Sequence, residues 1–108
     1  KDLLQKSWTK RQEGKYQEAQ HLVWEAHRIC DPGAYASLGR IFHIYAQFYS
    51  DQKRSDLVLE FLQQSLFYYK KSGDPDKIAH STRHIADLQF EIGFVEESKT
   101  NYDVVIQY

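Results

Sequence analysis

Between Lys77 and Tyr108 the chain reads KIAHSTRHIADLQFEIGFVEESKTNYDVVIQY. Ile78, Ala79, Thr82, Ile85, Ala86 and Phe90 recur at the three-four spacing of a single buried stripe, which predicts a helix over 75–92. After Gly93 the same spacing returns with Val95, Ser98, Tyr102, Val105 and Ile106. Glycine adopts the left-handed conformation that ends a helix at little steric cost, so the chain can reverse there. The unit is therefore an antiparallel helical hairpin, and the rest of the sequence states it twice more.

Breakers mark the other boundaries. Gly14, Asp31-Pro32-Gly33, Gly73-Asp74-Pro75 and Gly93 divide the chain into segments of helical length. Glycine is expected at boundaries throughout. Asp31 and Asp74 each precede a proline, the pattern of an N-cap followed by the first helical residue. Over 2–13 the only large apolar residues are Leu3, Leu4 and Trp8. The next segment carries Tyr16, Ala19, Leu22, Val23, Ala26, Ile29 and Cys30 on one stripe. Segment 34–50 is apolar around much of its circumference, with Tyr35, Leu38, Ile41, Phe42, Tyr45, Phe48 and Tyr49, as expected of a central helix. Segment 55–71 has Ser55 as its expected N-cap and buries Val58, Phe61, Leu62, Ser65 and Tyr69. Between these two lies Asp51-Gln52-Lys53-Arg54, a turn without glycine. A left-handed Lys53 there costs on the order of 1 kcal/mol relative to Gly. No segment alternates strictly, so no strand is expected, and short turns favour antiparallel neighbours.

The turn residues Gly14, Lys53 and Gly93 recur at a spacing of about forty, within the range of helical-hairpin arrays. Small residues keep register with them: Ser7, Ala46 and Ala86 before each turn, then Ala19, Val58 and Ser98 after it. Further on come Ala26, Ser65 and Val105. Such positions let two helices approach closely.

At this point the chain resembles the tetratricopeptide repeat family. EGKYQEAQHLVWEAHRICDP carries the family's Gly-x-Tyr-x-x-Ala turn as Gly14, Tyr16 and Ala19, with Ala26 following. The last hairpin keeps Ala86, Gly93 and Tyr102, with Ser98 where Ala is usual. The middle one keeps Ala46 and Tyr49 and loses the glycine. The long spacing is similar to that of extended-helix variants in bacterial regulatory proteins, and KIAHSTRHIADLQFEIG resembles small bacterial repeat proteins of uncharacterised activity. The resemblance implies an all-α, right-handed superhelix, an α-solenoid of hairpins over about 2–31, 33–72 and 75–108. It implies a single domain that binds protein or peptide, in the cytoplasm, rather than an enzyme.

In the family the first helix of each hairpin lines the concave side. Carried over, that face holds Leu4, Trp8 and Arg11, then Arg40, His43, Ile44 and Gln47, then His80, Arg83, His84 and Asp87. Helical periodicity agrees, because these lie opposite the buried stripe. Arginine forks suit carboxylate or phosphate, so the expected ligand is an acidic peptide. The bland alternative is a solvated polar face, partly paired with Asp87 and Glu91. The family's grip on a chain-terminal carboxylate is not expected, because its Asn positions read Trp8, Gln47 and Asp87.

Other expectations follow from the residues themselves. His80, His84 and Asp87 share a helix face and could hold a metal or small ligand, with His43 a fourth candidate. The Glu of a metalloprotease motif is missing, and packing of His84 is the simpler account. No cofactor is expected. A net charge of −1 gives no field toward nucleic acid, and no apolar run approaches the roughly 18 residues of a membrane span. Lone Cys30 reads as core, in a reducing compartment. The apolar ending, Val104, Val105, Ile106 and Tyr108, points either to a longer parent chain or to a last helix that pairs with another subunit, which makes self-association the second functional expectation.

Overall fold

A computed structural model describes residues 2–106. It contains α1 (Asp2–Gln12), α2 (Tyr16–Ile29), α3 (Tyr35–Asp51), α4 (Ser55–Ser72), α5 (Pro75–Glu91) and α6 (Val95–Ile106), with no strand among the described residues. The last two residues of the third expected hairpin lie outside them.

Close packing joins helices consecutive in sequence: α1 with α2, α2 with α3, α3 with α4, α4 with α5 and α5 with α6. The molecule measures 38 × 30 × 17 Å. A helix with its side chains is about 10 Å across, so the slab is two helices thick at most.

Three turns share one construction. Gly14, Lys53 and Gly93 have φ of 80°, 59° and 98°. The residue after each donates its N–H five residues back: Lys15 to Lys10 (2.9 Å), Arg54 to Tyr49 (3.0 Å) and Phe94 to Gln89 (2.7 Å). The turn residue itself donates three back, to Arg11, Ser50 and Phe90. This is the Schellman pairing that satisfies the last carbonyls of a helix. The middle turn builds it with lysine in the left-handed region.

The junctions between hairpins differ. Asp74 caps α5 through its side chain, which accepts from the N–H groups of Asp76 and Lys77, with Pro75 at the first helical position. Asp31 does not cap α3. Its Oδ1 accepts from the Gly33 N–H at 2.9 Å, a local turn, and Ala34 takes the N-cap place. Ser55 is already the first residue of α4, behind an Arg54 N-cap that makes no side-chain bond.

Small residues set the helix spacing. The Ser7 hydroxyl donates to the Ala19 carbonyl at 2.8 Å, and Ser98 donates to the Ala86 carbonyl at 3.0 Å. All four are buried. These are matching positions with the hydroxyl on opposite helices; the middle hairpin has Ala46 and Val58 there. A third contact, missed by treating glycines as boundaries, lies inside α3. Gly39 is buried, and a Cβ placed on it would stand 2.7 Å from the Tyr69 ring. Its carbonyl accepts the Ser65 hydroxyl at 2.6 Å.

Two apolar clusters follow. Leu4, Ala19, Val23, Ala26, Ile41 and Phe48 join α1, α2 and α3, with Cys30 partly buried beside them. Ala46, Leu62 and Ile85 join α3, α4 and α5. Burying a side chain such as Ile41 or Ile85 contributes about 2 kcal/mol. Aromatic rings fill the space between α3 and α4: Phe42 stacks on Tyr68 (5.4 Å between centroids) and Tyr49 on Phe61 (5.2 Å).

Four residues expected on buried stripes are exposed: Tyr16, Ile29, Phe90 and Val95. Register explains most of this. Tyr16 and Val95 stand two residues after a turn, the position that exposed Ser55 holds in the middle hairpin, where the helix has only begun to face its neighbour. Phe90 stands three before a turn, in the place of Arg11 and Ser50. Ile29 is the last residue of α2.

Candidate binding groove

Alternate helices leave a groove of about 500 Å³ between them. From α1 it receives Leu4, Gln5, Ser7, Trp8 and Arg11; from α3, Arg40, His43, Ile44, Gln47 and Phe48. Lys77 and His80 come from the start of α5, and Tyr69 closes it from α4. Buried Leu4, Phe48 and Tyr69 form the floor, and Trp8 stands 55% exposed at the rim. Burial pushes the Tyr69 phenol pKa up, against the nearby Arg40 cation.

The expected inner face is thus brought together on α1 and α3. On α5 only His80 lines the groove, joined by Lys77. Arg83 and Asp87 lie outside it. Asp87 is two turns beyond His80 on the same helix face, where the Tyr102 hydroxyl donates to its Oδ1. That hydrogen bond raises the Tyr102 pKa. Tyr69 and Lys77 were not anticipated. The signal for Lys77 was available, since it precedes His80 by three and shares its face.

The groove cations are not equivalent. Arg11 makes a two-pronged ion pair with Asp51, Nε to Oδ2 at 2.8 Å and Nη2 to Oδ1 at 2.9 Å. The hydrogen bond to Asp51 raises the arginine pKa further. Its partner is Asp51 at the end of α3, not the Asp87 or Glu91 expected of a self-paired polar face. Arg40, Lys77 and Arg83 have no carboxylate within ion-pair distance among the described residues.

Three imidazoles meet beside the groove where α3 faces α5. His80 and His84 bring their Nε2 atoms to 3.2 Å. Their ring centroids are 4.5 Å apart, and His43 lies 6.1 Å from His80 and 5.5 Å from His84. One Nε2 must donate and the other accept, so the pair cannot carry two Nε2 protons in this contact. Burial lowers the His43 pKa from 6.5 to about 4, and His84, His80 and Lys77 push the same way. The His84 pKa is also lowered, first by partial burial of its ring and then by His80, with Arg83 adding and Asp87 opposing. Asp87 does not join the rings as a ligand. Among the described residues, no three His, Cys, Asp or Glu side chains are gathered so as to hold a metal ion.

Elsewhere the surface is less organised. Phe90, Ile92, Phe94 and Val95 form an apolar elbow at the α5–α6 turn. Among the described residues, no helix is long and apolar enough to cross a membrane. No family model, curated protein or solved structure matches the chain.

Proposed function

We propose that this chain is a tetratricopeptide-like hairpin domain whose groove binds an acidic segment of a partner protein. Closest packing between helices consecutive in sequence, three equivalent turns and a groove walled by alternate helices support the architecture. One observation carries the choice of ligand. The chain has 15 acidic residues against 14 basic ones, yet no Asp or Glu lines the groove, while Arg11, Arg40 and Lys77 do. Arg11 has its counter-charge in Asp51, but Arg40 and Lys77 are exposed with no carboxylate within ion-pair distance among the described residues, which favours an anionic occupant; guanidinium and ammonium groups together suit a run of carboxylates. Trp8 at the rim offers apolar surface for side chains between the acids. A reducing compartment such as the cytoplasm suits Cys30, whose thiol pKa is raised by burial.

An aspartate-rich peptide labelled for fluorescence anisotropy tests this. Binding is expected to weaken with salt and to fall about tenfold or more in an Arg40→Glu, Lys77→Glu variant, the cost of reversing two rim charges. Equal binding by that variant would remove the groove as the site.

A further inference from the structure

We infer that the groove is a proton-coupled receptor: an acidic occupant supplies the counter-charge that His43 and His80 lack, and its binding is accompanied by proton uptake on the cluster they form with His84. This rests on the groove binding an anion, and it adds a regulator, ambient pH, to that site.

The geometry comes first. Three imidazoles stand within 6.1 Å of one another, and two of them, His43 and His80, also line the groove. Their surroundings are almost wholly cationic. On α5 they face Lys77 and Arg83; on α3, Arg40; across the groove on α1, Arg11 with its own Asp51. Among the described residues, Asp87 is the carboxylate that acts on the cluster. It acts on His84 and is engaged by Tyr102. From α4 the groove receives only Tyr69, a phenol held neutral by burial.

With the groove empty, His43 and His84 therefore resist protonation for two reasons, desolvation and like charge. An anion seated between Arg40, Lys77 and His80 reverses the second. An opposite charge within about 4–6 Å favours the protonated imidazole. Linkage then requires the occupant to bind more tightly as pH falls, because it raises the affinity of the cluster for protons. Protonation also ends the donor–acceptor match between the two Nε2 atoms, which frees His80 to turn a second N–H toward the occupant.

The test is isothermal titration of an aspartate octapeptide into the intact chain, in two buffers of different ionisation enthalpy. Its side chains, with pKa about 3.9, stay ionised across the range. An uptake of about half a proton corresponds to about tenfold tighter binding between about pH 7.5 and 5.5. Binding with no proton uptake and no pH dependence overturns the inference and leaves the groove as the site. No binding at either pH overturns both. Uptake that persists unchanged in a His43→Gln, His80→Gln, His84→Gln variant also overturns it, since the protons would then reside outside the cluster.

Discussion

Acidification should destabilise this fold through His43, and the size of the effect can be worked out. An unfolded histidine titrates near 6.5, whereas in the fold burial and the neighbouring cations bring His43 to about 4. Above pH 6.5 both states are neutral at this residue and it makes no pH-dependent difference. As pH falls below that, the unfolded chain takes up the proton and the folded chain does not, so stability declines by up to about 1.4 kcal/mol per pH unit. At about pH 5 the accumulated loss is about 2 kcal/mol, and it levels off below about pH 4 as the folded ring also protonates. For a domain of this size that is roughly 10 °C in Tm. Urea unfolding followed by helical circular dichroism, at several pH values between about 7.5 and 4.5, gives both curves for the parent and for His43→Gln. Only the difference between them matters, because carboxylates and the other histidines titrate in both. The expectation is that the parent loses about 2 kcal/mol relative to the variant between neutral pH and about pH 5. Parallel curves would mean that His43 is solvated, and the account of the cluster would fail.

Two further substitutions probe the backbone. Gly39→Ala gains about 1 kcal/mol of helix propensity but drives a methyl into the Tyr69 ring, so a net loss of about 1–2 kcal/mol is expected in the same unfolding assay; stabilisation would show that α3 and α4 are not in close contact there. Lys53→Gly relieves the left-handed lysine and should stabilise by about 0.5 kcal/mol after the added freedom of the unfolded chain; a loss would contradict the φ of 59°.

The hairpins were legible because their signals are local. A three-four stripe, a turn residue and its Schellman bonds lie within a few residues of one another, and Lys53 could be placed by spacing alone. Exposure at Phe90 and Val95 was also legible, had their register been compared with Arg11, Ser50, Tyr16 and Ser55. Gly39 was not, because a glycine that makes room for a ring on another helix looks the same in sequence as one that turns the chain. The groove was half legible. Arg40, His43 and Gln47 follow from the family resemblance, with which helical periodicity agrees, but where α5 leaves the groove is decided by packing. So are the Arg11–Asp51 pair, forty positions apart in the chain, and the bond from Tyr102 to Asp87.

Packing that is closest between consecutive helices has a mechanical consequence. The first and third hairpins have no close helix pairing with each other, yet Trp8 of α1 and Lys77 of α5 border the same space. An occupant lying across it would touch both outer units at once and act as a crossbar. The curvature of the whole row would then be set by its length and stiffness as much as by the joints between the helices.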